Sequence, residues 1–314
     1  MTTTGISNFS VTRDQVIASA LRTLQELGAG ETASAEDYTN CNQALNIMLK
    51  SWQKKGAALW LYETIALPLV SGVTTYTIGP TAGYLASAGF TITDGGTGGT
   101  DGEYALDITD TTGSGAVGTF TVSGGVITEI EVTTAGTAYT APTFDWTAAG
   151  ITGEDIDCRV VGVTTTRPLR VMEAFIRTDS TSVDTPLIVI SLSEYNMLGN
   201  KTSSGTPNQL KFMPTLGNAT VDLYLVPDGN VQTAYLTVQR PIYDMVSSSD
   251  TFDLPQEWYR AVKWGLADEL ALEYGASPET IQIVAQKAAV FLEECFDWSV
   301  EDASVYFTVN NREG

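Results

Sequence analysis

Apolar and polar positions alternate with a helical period at both ends of the chain and with a strand-like period between them. In residues 250–297, Trp258, Val262, Leu266 and Leu270 recur at four-residue steps with Ala261, Ala267 and Ala271 beside them. Glu257, Arg260, Lys263 and Asp268 fall on the other faces, which is the pattern of an amphipathic helix. Pro255 suits a first helical position because its missing N–H is not needed there, so this helix is expected to start near Leu254. Gly275, which tolerates positive φ, is expected to end it. Ser277 then offers an N-cap oxygen, Pro278 a first position and Glu279 a charge that complements the helix dipole. The stripe of this second helix is Ile281, Val284, Ala285, Ala288, Leu292 and Cys295, and so short a connection predicts antiparallel neighbours.

The N-terminal end repeats the arrangement. Thr12 and Gln15 have capping-box spacing, Val16, Ile17, Ala20, Leu21, Leu24 and Leu27 form a stripe, and Gly28 is expected to close the helix. Ser34 and Asp37 mark a second start, followed by a seam of Tyr38, Cys41, Leu45, Met48 and Trp52. At ~1.5–3 kcal/mol for each fully buried large apolar side chain, such stripes dominate local propensity. The expected fold class is α+β: N- and C-terminal helical hairpins forming an antiparallel helical bundle, a mixed β central region, and an inserted small all-β module.

Residues 64–70 and 73–79 read as two strands around a Ser71-Gly72 turn, with Pro68 placing the first at a sheet edge. Residues 81–160 then hold 15 of the 29 glycines, many threonines and short β-type alternations such as 126–132. Their β-branched content is too high for a linker, so they form the inserted module. Further strands are expected at 169–176, 186–191, 209–213, 220–226 and 234–239, with a short helix at 193–198. The domain reading is a core of 1–80 and 161–297, the module at 81–160, and an extended arm at 298–314. Val305, Phe307 and Val309 alternate in that arm, which either docks on a partner or adds an edge strand to its own sheet.

Composition narrows the chemistry. Histidine is absent, which removes Ser-His-Asp and Cys-His triads and His-ligated metals. No cofactor or metal is expected, nor is an enzyme. Cys41, Cys158 and Cys295 are too few and too scattered for a disulfide framework. The opening MTTTGISN has no signal-peptide character and no run is long and apolar enough to span a bilayer, which argues against ordinary export and against membrane insertion.

The net charge is −21, from 37 acids and 16 bases, unsuited to gripping duplex DNA. Residues 81–160 carry 11 acids and one base, and residues 242–314 carry 14 acids and four bases. The run GGTGG at 95–99 lacks the Lys-Ser/Thr and the helix that a phosphate loop requires. Lys50, Lys54 and Lys55 suit a helix C-terminus, while Arg167, Arg170 and Arg177 are candidates for ion pairs across a subunit interface. Trp60, Trp264 and Trp298 are either core residues or interface anchors.

The order of LNIMLKSWQKKG (45–56), ALW (58–60), TYTIGP (75–80), RPLRVMEAFIR (167–177), SEYN (193–196), GTPNQLKFMP (205–214) and LPQEWYRAVKWGLADELALEYG (254–275) resembles the head-to-tail adaptor family of short-tailed bacteriophages, also called tail accessory factors or tail tubular proteins. The resemblance covers residues 10–80 and 165–297. The 81–160 block departs from the compact family pattern, and its segment 123–144 is similar to Gly/Thr-rich β modules of phage structural proteins.

The resemblance implies a structural virion protein at the head–tail junction, made in the host cytoplasm. It would form a homo-oligomeric ring, typically of twelve subunits, beneath the portal protein. That ring extends the DNA channel, lets DNA pass without specific binding, and offers the attachment site for the distal tail (nozzle or tube) protein. The portal-binding arm would then include Trp298, Val300, Val305, Tyr306, Phe307 and Val309. Candidate channel-lining acids are Asp268, Glu269, Glu273, Glu293 and Glu294, because an acidic wall within about one Debye length, ~10 Å, repels the duplex.

Two alternatives stand beside it. A carboxylate-dependent glycan hydrolase of the tail needs two facing acids, whereas Glu36-Asp37, Asp268-Glu269 and Glu301-Asp302 are adjacent residues that point about 100° apart on a helix. A receptor- or carbohydrate-binding tail protein would need exposed aromatics among Tyr84, Phe90, Tyr104, Phe120, Tyr139, Phe144 and Trp146, most of which a small β module needs for its own core.

Overall fold

A computed structural model describes residues 9–54 and 59–299. The chain forms two compact units, one from Met1–Leu61 with Ile242–Gly314 and the other from Tyr62–Pro241. The α-helices, in chain order, are α1 (Arg13–Thr23), α2 (Ala35–Trp52), α3 (Leu192–Met197), α4 (Tyr259–Ala271) and α5 (Pro278–Trp298). All but α3 belong to the first unit.

Local chemistry sets the helix ends. Thr12 and Gln15 close one capping box, and Ser34 with Asp37 closes another, each satisfying two otherwise orphaned N–H groups. α1 stops at Thr23 and not at Gly28, because Gln25 takes φ 69° and the Glu26 N–H turns back to the Leu21 carbonyl at 3.1 Å. Pro255 keeps ψ at 152°, so a 3₁₀ turn at Gln256–Trp258 precedes α4 and the helix starts later than Leu254. Gly275, at φ 69°, ends the next turn, with the Ala276 N–H bonded to the Ala271 carbonyl at 3.0 Å. Ser277 caps α5, and Pro278 is its first residue.

The expected bundle of terminal helical hairpins is corrected by the structure. Strand outweighs helix, 35% to 28%. α1 and α2 do not close on each other as a hairpin; both lie more extensively against α4 than against one another. α4 therefore sits at the centre of this unit, with Ala261, Val262, Gly265, Leu266, Ala267, Leu270 and Ala271 buried. Its small residues let neighbours approach from several sides, which a helix with one apolar stripe does not allow. Around it lie Ile17, Leu21, Cys41, Leu45, Met48, Trp52, Val284 and Phe291.

The second unit is built of strands: β1 (Tyr62–Pro68), β2 (Thr75–Gly79), β3 (Phe90–Asp94), β4 (Gly102–Ala105), β5 (Asp107–Thr109), β6 (Ser114–Ser123), β7 (Val126–Thr137), β8 (Thr143–Asp145), β9 (Asp155–Cys158), β10 (Val163–Thr164), β11 (Arg170–Thr178), β12 (Val183–Pro186), β13 (Ile188–Ile190), β14 (Gln209–Pro214), β15 (Ala219–Tyr224) and β16 (Gln232–Gln239). A four-stranded sheet runs β1-β16-β11-β12 and a five-stranded sheet runs β10-β2-β15-β14-β13. Both contribute to one core, with Leu67 and Leu236 from the first and Tyr76 and Leu223 from the second. Alternation along β15 and β16 drives this, since every second residue is buried up to Val238, where Gln239 is buried as well.

β1 is an edge strand, where Pro68 costs no ladder bond. It does not pair with β2 as a hairpin, however. The Ser71-Gly72 segment crosses between the two sheets, and the Gly72 N–H is bonded to the Pro227 carbonyl at 2.9 Å.

β3 to β9 make the glycine-rich module, whose longest feature is the β6–β7 pair turning on Gly124 and Gly125 at φ 67° and 80°. Phe120, Val122, Ile127, Trp146 and Ile151 form its own core. The GGTGG run serves packing there: a side chain on Gly95 would lie 2.4 Å from the Ile127 carbonyl oxygen, and one on Gly99 2.3 Å from Ile151.

Candidate functional site

Asp268 and Glu269 lie on α4, Glu273 on the turn that follows, and Glu293 and Glu294 on the last turns of α5; all five are exposed. Their faces are polar because the apolar stripe of each helix is turned inward. Among the described residues no base ion-pairs with any of the five. Desolvation by its surroundings pushes the Asp268 carboxyl above the ordinary range although the residue is exposed. Trp298 closes α5 with 82% of its surface exposed. Val300, Val305, Tyr306, Phe307 and Val309 lie outside the described residues.

A second surface of the helical unit has the opposite character. An open groove of about 620 Å³ is lined by Phe9, Val11, Arg22, Tyr259, Arg260, Lys263 and Trp264, with Gln15 and Ser19 among its polar members. The Arg260 guanidinium lies 3.6 Å over the Phe291 ring, while the Lys263 and Lys287 ammonium groups stand 5.5 and 5.9 Å from the centre of the Trp264 ring. Three helices thus bring four cations and two aromatic rings to one place. α1 supplies Arg22, α4 supplies Arg260 and Lys263, and α5 supplies Lys287.

Lys50, Arg167, Arg170 and Arg177, also singled out from the sequence, are occupied within the chain, while among the described residues no carboxylate lies within 4.0 Å of Lys54. Lys50 ion-pairs with Asp244 at 2.8 Å, and Lys55 lies outside the described residues. Arg177 grips Asp184 through two bonds of 2.7 and 2.8 Å and stacks over Phe175 and Tyr235. Arg170 donates to the Gln239 side chain at 2.6 Å, and Arg167 to the Thr215 carbonyl at 2.7 Å. Trp60 packs edge-on against Trp258, and Trp264 is part-buried beside Phe291.

Asp37, one of the adjacent acids, is held below the ordinary range by its bonds to Ser34 and then to the Tyr274 hydroxyl, so it serves as a cap. Glu301 and Asp302 lie outside the described residues. The module's aromatics pack edge to face on one another, with Phe90–Phe144 and Phe120–Trp146 centroids both 5.0 Å apart. The cysteines are free thiols, and burial pushes each upward, Cys158 to about 12. Among the described residues no group of three His, Cys, Asp or Glu side chains is placed to hold a metal, and no helix is long and apolar enough to cross a membrane.

No protein-family model matches the chain, and no curated protein matches it significantly. The functional reading therefore rests on the residues and their placement. The basic groove escaped the sequence reading because Arg22 and Arg260 are 238 positions apart; the local signal was Arg260 and Lys263 at i,i+3 spacing on a helix of an acidic segment.

Proposed function

We propose that this protein is a structural component of a short-tailed phage virion, a head-to-tail adaptor whose copies form a ring beneath the portal and extend the DNA channel. The observation that carries the reading is the exposure of Asp268, Glu269 and Glu273 on α4 and the turn that follows it, unpaired with any base among the described residues. A surface of free carboxylates repels phosphates at close range and offers them no donor, so a duplex slides past it. The ordered set of adaptor-like motifs supports the same reading. In it the residues after α5 reach the portal and the distal tail protein attaches to the far side of the ring.

Mass photometry of the protein alone and mixed with portal rings of the same virus tests the proposal. About one copy per portal subunit is expected, and no binding overturns it. Lysine at Asp268, Glu269 and Glu273 together is expected to slow DNA ejection from assembled particles; unchanged ejection removes these acids from the channel wall.

A further inference from the structure

We propose that the groove around Trp264 is a receptor for the acidic end of α5 from a second copy of this chain. Arg22, Arg260, Lys263 and Lys287 would take the carboxylates of Glu293, Glu294 and Asp297. This deepens the ring reading and depends on it only for the closure of successive contacts into a ring.

Four cations share one surface of a chain whose net charge is −21, and three of them are among the four bases of residues 242–314. Among the described residues none of the four lies within 4.0 Å of a carboxylate. Arg260, Lys263 and Lys287 lie instead against the rings of Phe291 and Trp264, and Arg22 lines the same groove. Like charges gathered without counter-charges repel, so an incoming anion gains from all of them together. The chain's own α5 is too stiff to supply it, because Glu294 follows Lys287 by two helical turns, roughly 10 Å along the axis.

Charge complementarity selects the occupant. Glu293, Glu294 and Asp297 are exposed in the last two turns of α5, and Trp298 beside them gives the same helix end an apolar anchor. A groove at one place that accepts a helix end from another makes a head-to-tail contact, which repeats from copy to copy until the rotation closes. Nucleic acid is the weaker occupant. The exposed Glu257 lines the adjoining recess with Phe9 and Tyr259 and sets a carboxylate where a continuous phosphate backbone would have to run.

The test is a charge swap read by sedimentation velocity and mass photometry. The wild-type chain is expected to self-associate at low salt and to dissociate as salt rises. Arg260→Glu with Lys263→Glu, and separately Glu293→Lys with Glu294→Lys, are each expected to weaken association by about tenfold or more. Mixing the two variants, or combining all four changes in one chain, is expected to restore it. Arg260→Gln with Lys263→Gln is the milder counterpart if the reversed groove fails to fold, and far-UV circular dichroism checks each variant.

A wild-type chain that stays monomeric at every concentration overturns the proposal, as do single-site reversals that associate normally or a mixture that does not associate. Labelled duplex DNA bound by the wild type and released by the groove variants overturns it in favour of nucleic acid. Portal binding by the same variants separates the two readings. Intact portal binding with association lost at one reversal and restored by the swap supports the groove, and lost portal binding with normal wild-type self-association sinks the adaptor reading alone.

Discussion

Gly265 lies in the middle of α4, where glycine is a poor helix residue, and replacing it with alanine gains about 0.8–1.0 kcal/mol of helix propensity. The surroundings oppose that gain. A Cβ at Gly265 would sit 2.6 Å from Cζ2 and 3.1 Å from Cη2 of Trp52, and 2.9 Å from the Met48 sulfur. Met48 can change rotamer, but the Trp52 ring is only 6% exposed and lies 6.3 Å from the Trp258 ring. Moving from 2.6 Å to the near limit of ordinary contact at 3.4 Å takes about 0.8 Å from a ring with little room. Overpacking of this kind costs about 1–3 kcal/mol, so Gly265→Ala is expected to lose about 1 kcal/mol net. Trp52, Trp60, Trp258, Trp264 and Trp298 all belong to this unit, so urea unfolding followed by tryptophan fluorescence reports on it. In a Trp52→Phe background, where the clashing ring edge is gone, the same change should be neutral or stabilising. If Gly265→Ala stabilises the wild-type background by the full propensity gain, close α2–α4 packing is not what requires glycine there.

In the module, desolvation would raise the Asp110 carboxyl, but N–H bonds from Gly113, Thr112, Ala141 and Thr140 at 2.6 to 3.2 Å outweigh it and hold the group far below the ordinary range. Asp110→Asn is expected to cost about 2 kcal/mol near neutral pH, allowing for partial exposure. Because the folded value is depressed, this contribution is complete above the unfolded value near 4 and fades as pH falls below it. Thermal unfolding of wild type and variant should therefore converge in acid, and a gap independent of pH would reject the assignment. Tyr274 donates to Asp37 at 2.9 Å and sits 3.5 Å from the Cys41 sulfur, so Tyr274→Phe should lose about 1 kcal/mol. An NMR titration should also move the Asp37 carboxyl up toward its ordinary value. Unchanged stability and an unmoved carboxyl would show that the tie between α2 and the end of α4 is not formed.

Much of the helical unit was legible because it is written locally. The capping boxes at Thr12 and Ser34, the Ser277-Pro278 start and the Gly275 stop all act within four or five residues. What escaped was set by partners distant in sequence. β1 and β2 look like a hairpin across Ser71-Gly72, yet β1 finds β16 and β2 finds β15, because burying both apolar faces requires two stacked sheets. The bundle expectation failed for the same reason: stripe positions show which face is buried but not which helix covers it, and α4 is covered from more than one side. The candidate acids needed only a helical wheel to be placed on polar faces. The groove of opposite charge needed α1 beside α4, a tertiary fact.

The division of the chain also dictates an order of events on the ribosome. The sandwich segment Tyr62–Pro241 is continuous, so it can fold as soon as it emerges. α1 and α2, synthesised first, must wait for α4 to cover Ile17, Leu45 and Met48. The interval is some 200 residues of synthesis, roughly ten to forty seconds at about 5–20 residues per second. For that time two greasy helices hang from a nascent chain with nothing of their own to hide against. The first half of the helical unit is then the natural client of a holding chaperone, and heterologous expression should fail there before it fails in the sandwich.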